Sequence, residues 1–206
     1  MTIIAENIGL KYSSEYIFKN LNFTFQEQNI YAILGPNGSG KSSLMKVLSG
    51  FVSPSKGHLY FKNNDEIIEE EKLFSEISFS APYIELIEEF TLQEQLTFHA
   101  KFKPFVNDLD VMQIMQIIEL EKHADKAVAN FSSGMKQRLK LGLSILSNSS
   151  IILLDEPATN LDSDGVLWYQ KILKQYAGNR IVIIASNRPD EYEMANERLD
   201  IVGYKK

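Results

Sequence analysis

The sequence predicts an α/β protein that combines a mixed sheet with helices, an antiparallel β portion and an inserted helical subdomain. Apolar runs at 151–154 and 181–186 are typical of buried strands. Apolar and polar residues alternate over 20–25, which predicts a sheet with one face in water. Residues 82–147 carry helical patterns, and this order of elements predicts an α/β core that is interrupted by a helical insert.

The N-terminal part is expected to form strands and one helix. Strands are predicted at 2–12, 20–25, 31–34, 58–61 and 76–80. The strand at 31–34 leads directly into the glycine-rich stretch GPNGSGKSS. Leu44, Val47 and Leu48 then follow at helical spacing, and Gly50 is expected to end that helix.

The second part of the chain alternates helices with strands. Helices are predicted at 91–102, 111–123, 134–147 and 163–176, and buried strands at 151–154 and 181–186. Val111, Ile114 and Met115 fall on one face of their helix, and Leu139 and Leu146 are expected to face inward from the next one. Three of these helices form the expected insert, at about 82–147, within a single domain that spans 1–206.

The composition limits the class of protein. With 206 residues, 44% of them hydrophobic, the chain is long enough for one domain with a sizeable core. The formal net charge of -6 and the pI near 5.2 disfavour nucleic acid as a partner. The absence of cysteine excludes disulfides and thiolate metal sites. Because neither a signal peptide nor an apolar run of roughly 20 residues is evident, we expect a cytoplasmic protein.

The stretch GPNGSGKS at 35–42 predicts a phosphate-binding loop. Its glycines let the backbone N–H groups point inward, and the following helix adds the positive end of its dipole. We expect Lys41 to reach the β- and γ-phosphates, Ser42 to ligate Mg²⁺ and Ser43 to contact an α-phosphate. The candidate nucleotide-binding residues here are Gly35, Pro36, Asn37, Gly38, Ser39, Gly40, Lys41, Ser42 and Ser43. The alternative is a glycine turn that matches the pattern by chance.

Two adjacent acids, Asp155 and Glu156, follow the apolar strand at 151–154. Acids in this position are costly unless they have a chemical role or bind a cation. In a protein with a phosphate-binding loop, the first acid holds Mg²⁺, usually through water, and the second can polarise an attacking water. Asp155 is therefore the candidate metal ligand beside Ser42, and Glu156 is the candidate catalytic residue. The alternative is an acidic loop after a core strand.

Two further stretches resemble the ATP-binding subunits of ABC transporters. FSSGMKQR at 131–138 resembles the ABC signature, which is usually L-S-G-G-Q followed by Q-R or K-Q-R. EPATNLD at 156–162 resembles the family's stretch from the catalytic glutamate to the D-loop. The signature retains Ser132 and Gly134, and it departs from the usual residues at Phe131, Ser133 and Met135. The likeness extends over nearly the whole chain.

This resemblance implies an ABC-type ATPase that uses ATP and Mg²⁺, with Lys41 and Glu156 in catalytic roles. It also implies a second ABC ATPase subunit, packed head to tail as a homodimer or heterodimer, and an integral membrane transport subunit. The complex would then hold this chain on the inner face of the membrane. Ser132 and Gly134 would contact the γ-phosphate of the partner's ATP. An ordinary helix N-cap at Ser132 is the local alternative and is compatible with that contact.

The resemblance also suggests which residue holds the adenine base. Tyr12 matches the aromatic residue that stacks on adenine in this family. The alternative is a plain surface aromatic residue near a turn, and Tyr16 is the second candidate for stacking.

The first departure from the family pattern concerns a Gln that follows the strand leading into the helical insert. In the family this Gln contacts Mg²⁺ and the attacking water, and its loop touches the membrane partner. Pro82 aligns with that position, and proline offers no side-chain ligand. Gln93 and Gln95 lie too far along the next helix to replace the Gln. A slipped register would let Ser80 donate a hydroxyl.

The second departure is Asn187, at the end of the strand predicted over 181–186. The family usually has a His here, which reaches the γ-phosphate and the catalytic water. Asn can donate a hydrogen bond to phosphate and accept one from water, but it carries no charge near pH 7 as His can. The alternative is that Asn187 caps the turn before Pro189. Together the two departures predict slow hydrolysis with intact ATP binding.

We expect the chain to energise a separate membrane subunit. Export is favoured over import by the lack of a regulatory C-terminal extension and by a signature variant that resembles those of exporter-type subunits. The alternatives are a soluble ABC ATPase that acts on ribosomes, DNA or protein clusters, and a regulatory ATP-binding module with weak hydrolysis and no transport role. Residues 63–72 are expected to form a solvated hairpin or loop, and 82–90 either a partner-facing surface or simple packing.

Overall fold

The computed structural model describes residues 1–64 and 66–205. These residues form two β-sheets and six α-helices, joined in several places by short 3-10 turns. The strands are β1 (Thr2–Tyr12), β2 (Glu15–Gln26), β3 (Ile30–Leu34), β4 (Lys56–Asn63), β5 (Glu66–Ile67), β6 (Ile77–Ser80), β7 (Ile151–Asp155), β8 (Ile181–Ala185) and β9 (Glu197–Asp200). The helices are α1 (Lys41–Leu48), α2 (Glu70–Glu76), α3 (Leu92–Phe102), α4 (Val111–Ile117), α5 (Ser133–Ile145) and α6 (Ser163–Tyr176).

The two sheets differ in strand direction. One has the order β2-β1-β4-β5 and is antiparallel, and the other has the order β6-β7-β8-β3-β9 and is parallel. The predicted α/β class with an antiparallel portion is therefore confirmed. The core sheet was expected to be mixed, but it is parallel at every pairing of the described strands. Helical connections between β6 and β7 and between β7 and β8 provide the crossovers that parallel neighbours need.

The central strands β7 and β8 are buried on both faces, which explains why their sequences are continuous apolar runs. Alternate side chains enter two different cores because successive residues of a strand point to opposite faces. Ile151 and Ile183 pack with α1 and the antiparallel sheet, whereas Ile152 and Ile184 pack with α4, α5 and α6. Full burial of each such side chain contributes about 1.5–3 kcal/mol, so the carboxyl ends of these strands are held rigidly.

Helix α4 ends earlier than the sequence pattern predicted. It stops at Ile117, six residues before the predicted end at residue 123. Glu119 adopts a φ of 59°, and the backbone N–H of Leu120 donates to the carbonyl of Met115 at 2.9 Å. This closure satisfies the terminal carbonyls and turns Leu120 into the core. No α-helix of the described chain is both long enough and apolar enough to cross a membrane.

Two elements were not predicted. The antiparallel β4–β5 pairing confirms the hairpin expected within 63–72, apart from residue 65, which lies outside the described residues, but the start of α2 in the same stretch was not predicted. Helix α2 is rich in glutamate and has one buried side chain, Leu73. A single buried residue gives no apolar periodicity, so the sequence did not indicate this helix. Strand β9 also has a single buried side chain, Leu199, and was missed because it lacks an alternating pattern.

Strand β1 contains a bulge beside Gly57 of β4. Asn7 has a φ of 52°, its N–H donates to Oδ1 of Asn22 at 2.8 Å, and the register of β1 shifts here against both neighbours. Gly57 has a φ of 79°, and a Cβ there would lie 2.3 Å from the Asn7 carbonyl oxygen. Such a bulge increases the local twist of the hairpin. Further along that hairpin, Ile17 of β2 packs against Gly40, which immediately precedes α1.

Gly57→Ala is expected to lower the free energy of unfolding by about 3 kcal/mol, because the added Cβ meets backbone at a φ that strains any L side chain. Gly203→Ala is the matched control, since no atom lies within 4 Å of the Cβ it would add. Urea unfolding of both variants measures the difference. Equal stability of the two variants would contradict the prediction.

Candidate functional site

Residues 35–40 form a tight loop between β3 and α1. Gly35 and Gly40 have φ values of 148° and 105°, which strain other residues. A Cβ on Gly35 would lie 2.6 Å from Oγ of Ser39, and one on Gly40 would lie 2.7 Å from Ile17. The Ser39 hydroxyl is buried and has no hydrogen-bond partner among the described residues. The loop therefore forms a cradle that side chains would fill, with an unpaired hydroxyl in its wall.

Lys41 is 5% exposed, and its ammonium group is surrounded by oxygen atoms. Its Nζ donates to the carbonyls of Gly35 at 2.8 Å and Pro36 at 3.4 Å, and to Oδ1 of Asn187 at 2.8 Å. Burial lowers the pKa of Lys41, and the nearby charges of Glu156 and Asp155 oppose that change. The structure thus places the loop lysine, both acids and Asn187 in one small region. Ser42 and Ser43 follow Lys41 in the first turn of α1 and are half-buried.

Asn187 lies against the loop rather than in a separate turn. Besides accepting from Lys41, it donates through Nδ2 to Oδ1 of Asn37. The alternative role, capping of the turn before Pro189, is filled by another residue. Oγ of Ser186 accepts a hydrogen bond from the N–H of Arg188 at 2.8 Å. The side chain of Asn187 therefore bonds to the loop between β3 and α1 and to Lys41, which follows it.

Asp155 is the last residue of β7 and is 1% exposed. Its Oδ1 is buried without a hydrogen-bond partner among the described residues, and its Oδ2 accepts from the Tyr83 hydroxyl at 3.4 Å. Burial raises the pKa of Asp155 above its usual value, with Ser42 acting in the opposite direction and Glu156 in the same one. A buried carboxylate with a free oxygen, beside a serine hydroxyl, is the donor set that Mg²⁺ prefers, so these residues fit that cation.

Glu156 adopts a strained backbone conformation directly after β7. Its φ is 48°, and its N–H donates to the carbonyl of Ala185 in β8 at 2.9 Å. A positive φ at a residue other than glycine is uncommon and persists only when surrounding contacts enforce it. The strand pairing with β8 enforces it here and turns the chain away from the sheet after Asp155.

Pro82 occupies the second position of a turn in which the N–H of Ile84 donates to the carbonyl of Ala81 at 3.1 Å. The next residue, Tyr83, places its hydroxyl beside Asp155. Burial and then the charge and hydrogen bond of Asp155 raise the pKa of Tyr83, so the hydroxyl is protonated and acts as a donor at neutral pH. Nothing in the sequence indicated that the Tyr83 side chain would extend toward Asp155.

Three other residues are candidates to replace the Gln that the family usually has: Gln93, Gln95 and Ser80. Among the described residues, none of them makes a hydrogen bond to Lys41, Asp155 or Asn187. Gln95 is buried, and its Oε1 accepts from the N–H of Ile87 at 3.1 Å, which holds the loop before α3. Gln93 is exposed on α3. Ser80 is the last residue of β6, and its buried hydroxyl has no partner among the described residues.

The signature residues begin α5. Ser132 is the N-cap, and its Oγ accepts from the N–H of Met135 at 3.2 Å. A Cβ on Gly134 would lie 3.3 Å from the carbonyl oxygen of Asn160. Gln137 donates through Nε2 to the carbonyl of Pro157 at 2.6 Å. Within one chain Ser132 therefore acts as an ordinary helix N-cap. The hydrogen bond of Gln137 connects the first turns of α5 to the segment that follows Glu156.

Tyr12 ends β1 and is 51% exposed. It lies on the hairpin whose Ile17 contacts Gly40 at the loop. Tyr16, the second candidate, packs its ring edge close to the backbone of Gly9, and Lys19 lies over its face. Of the two rings, Tyr12 is thus the more available for a ligand.

Sequence reasoning also missed Glu191, which is 1% exposed. Its Oε1 accepts from the N–H of Ala158 at 3.2 Å and lies 3.8 Å from Nε of Arg188. Burial raises the pKa of Glu191, while the Ser186 hydroxyl and Arg188 oppose that change. The carboxylate joins the segment after β7 to the segment after β8. Because Glu191 lies soon after a proline in a polar stretch, its sequence context predicts a surface position. No apolar pattern around it indicates that it is buried.

A groove of about 1040 Å³ runs between the antiparallel sheet with α2 on one side and α3 with α5 on the other. Phe51, Phe74 and Phe102 line it and are each more than half exposed. Lys103 is buried at its wall and donates to the carbonyl of Ile77 at 2.5 Å, and burial lowers its pKa to about 8. Residues 84–86 of the segment 82–90 also line the groove.

Several known proteins resemble this chain over most of its length. The model of the ABC transporter family matches residues 18–159. An uncharacterised ABC transporter ATP-binding protein of Bacillus subtilis, YybJ, is 31% identical over 95% of this chain and 90% of its own. The Nod factor export ATP-binding protein I of Rhizobium johnstonii is 26% identical over 98% of this chain and 66% of its own. A dimeric ATP-binding cassette solved in a post-hydrolysis state with ADP and Pi shares the fold, with a TM-score of 0.83 and 21% identity over 97% of this chain and 95% of the other.

Asp155→Asn is expected to raise the free energy of unfolding at pH 7 when nucleotide and metal are absent. Because burial raises the pKa of Asp155, the folded wild type favours the protonated acid and loses stability as the pH rises through that pKa. The variant lacks this ionisation, so its advantage should shrink as the pH falls toward about 3.9, the ordinary pKa of Asp. Urea unfolding at pH 7 and at acidic pH measures both effects.

Asp125→Asn is the control for this prediction, since Asp125 is exposed. It should change the free energy of unfolding by less than about 0.5 kcal/mol. A lower stability of Asp155→Asn than of the wild type at pH 7 would contradict the prediction.

Proposed function

The chain belongs to the ABC transporter family, and we propose that it is an ATP-binding and ATP-hydrolysing subunit that energises a separate membrane subunit. The observation that carries the proposal is the meeting of Lys41, Asn187 and a buried Asp155 at the carboxyl ends of three adjacent parallel strands. Ligands of open α/β sheets bind at such ends. The described chain would act as one domain with its helical insert at about 82–147.

The loop is suited to a nucleoside triphosphate. Gly35 and Gly40 keep the cradle open, and Lys41 brings a positive charge to it. Ser42 and Asp155 would hold Mg²⁺, whose charge offsets that of the phosphates when the nucleotide is bound. The rest of the loop, Pro36, Asn37, Gly38, Ser39 and Ser43, would supply backbone and hydroxyl contacts to the phosphates.

Glu156 is the residue we assign to the attacking water, since a carboxylate can accept or polarise its proton. Its backbone is fixed by the hydrogen bond to Ala185, and its charge raises the pKa of both Lys41 and Asp155. Asn187 would orient Lys41 through its Oδ1 without carrying a proton itself. ATP binding therefore relies on groups that are all present, whereas the rate of hydrolysis depends on a neutral amide where the family usually has His.

Two chains are needed for a complete site in this proposal. Ser132 caps the N-terminus of α5, and Gly134 lies close to Asn160 in the segment after Glu156. The same helix N-terminus is suited to bind an anion supplied by another subunit. Tyr12, exposed on the hairpin beside the loop, would stack on adenine. A head-to-tail pair of subunits would bring the signature of one onto the ATP of the other, as a homodimer or a heterodimer.

The groove supports a membrane subunit as the second kind of partner. Its exposed phenylalanines form an apolar surface of the kind that binds a partner helix, and it includes part of the segment 82–90. Such a partner would hold the chain on the inner face of the membrane. We favour export, since the relative from Rhizobium johnstonii is an export ATP-binding protein and the signature resembles that of exporter-type subunits.

Glu156→Gln is expected to lower kcat for ATP about a hundredfold or more, because the amide cannot take a proton from water, while ATP affinity changes by less than about threefold. Phosphate release by the purified chain with Mg²⁺ measures kcat, and fluorescence of a labelled nucleotide measures affinity. The variant should also accumulate as a dimer with ATP in size-exclusion chromatography, since hydrolysis no longer reopens it.

Glu121→Gln is the matched control, because Glu121 is exposed and belongs to none of the stretches assigned to the site. A chain that binds ATP but shows no turnover dependent on Glu156, even with its membrane partner, would favour a regulatory ATP-binding module. A chain that binds no ATP would contradict the proposal as a whole.

Asn187→Ala is expected to lower kcat by about ten- to a hundredfold, since a hydrogen bond to a charged group contributes about 1.5–3 kcal/mol. Asn187→His should raise kcat above that of the wild type, because imidazole can carry a proton near neutral pH. ATP affinity should change less than kcat in both variants.

Asn148→Ala, at an exposed asparagine after α5, provides the control for these assays. Turnover that is insensitive to both changes at Asn187 would show that this residue does not act in hydrolysis.

A further inference from the structure

The residue after Pro82 makes a contact that proline itself cannot make. The N–H of Ile84 donates to the carbonyl of Ala81 across a tight turn, and Pro82 holds the second position of that turn. Proline favours this position because its ring presets φ. Pro82 therefore contributes geometry instead of a ligand, and the side chain that follows it, Tyr83, is turned toward the end of β7.

The Tyr83 hydroxyl acts on one oxygen of Asp155 and leaves the other free. It lies 3.4 Å from Oδ2, whereas the buried Oδ1 has no partner among the described residues. The distance exceeds the usual value of about 2.7 Å for a hydroxyl bond, and such contacts often shorten when a ligand fills the site. A donor on Oδ2 restricts the rotation of the carboxylate and leaves Oδ1 available for another ligand.

The tyrosine ring is held from two sides. Nζ of Lys46, on the helix that starts at the loop, lies 4.4 Å from the ring centroid, and Phe79 of β6 meets the ring edge to face at 6.1 Å. Lys140 of α5 donates through Nζ to the carbonyl of Pro82 at 3.2 Å. The hydroxyl is thus positioned by both α1 and α5, although Tyr83 itself is 44% exposed.

We propose that Tyr83 is a positioning residue of the metal–nucleotide site, whose hydroxyl orients the Asp155 carboxylate and replaces the polar contact that Pro82 cannot supply. This inference rests on the proposed Mg²⁺-dependent ATP binding. It also gives Pro82 a structural role, since the turn that Pro82 forms places Tyr83 beside Asp155. In this proposal Tyr83 compensates for the departure at position 82, so Asn187 would be the one remaining cause of the slow hydrolysis that the sequence predicts.

Tyr83→Phe tests the proposal because it removes the hydroxyl and retains the ring on Lys46 and Phe79. Mn²⁺ binding in the presence of a non-hydrolysable ATP analogue, followed by electron paramagnetic resonance, is expected to weaken about tenfold, as for other residues that orient a metal ligand. Binding of the same analogue in EDTA should be unchanged. The Mg²⁺ concentration that gives half-maximal ATPase should rise in parallel with the loss of Mn²⁺ affinity.

Tyr60→Phe is the matched control, since it removes a hydroxyl from β4 on the antiparallel sheet. Mn²⁺ affinity of Tyr83→Phe equal to that of the wild type, with unchanged thermal unfolding, would overturn the role of Tyr83 and leave the proposed function standing. Equal losses with and without metal would assign Tyr83 to packing and also overturn it. A wild type whose analogue binding does not respond to Mn²⁺ would overturn the metal site itself.

Discussion

A buried ammonium group has to be surrounded by oxygen atoms, and this requirement on Lys41 organises the site. The oxygens come from two places that are far apart in the chain: the loop after β3 and Asn187 after β8. These strands are neighbours in the parallel sheet, so their register brings the loop and the amide together. The two apolar cores that clamp β7 and β8 hold this register, and they offset the cost of taking charged groups out of water.

Three of the five buried side-chain atoms without a hydrogen-bond partner in the described chain lie at the same edge of the parallel sheet. Of the buried side-chain atoms that lack a hydrogen bond in the described chain, those of Ser39, Ser80 and Asp155 lie at or just after the carboxyl ends of β3, β6 and β7. Each such atom costs stability in the free protein. Their common location means that the fold tolerates the cost where a ligand with opposite polarity can recover it, as is usual when stability is traded for function.

The parts of this structure that could be predicted from sequence are those with a local cause. The glycine loop before Lys41, the acids after β7 and the helix α6 each follow from spacing within a few residues. The turn toward Tyr83 and the burial of Glu191 depend on what packs beside them, Lys46 in one case and Ala158 in the other, and local spacing contains no trace of either. The same reason explains α2 and β9, each of which depends on a single apolar anchor.

Helix α5 makes hydrogen bonds to two loops, one that carries Glu156 and one that carries Tyr83. Gln137 binds the carbonyl of Pro157 next to Glu156, and Lys140 binds the carbonyl of Pro82 next to Tyr83. These side chains are three residues apart and therefore share one face of the helix. Through these two hydrogen bonds α5 is joined both to the segment that carries Glu156 and to the turn that carries Tyr83, so a displacement of α5 would move the two segments together.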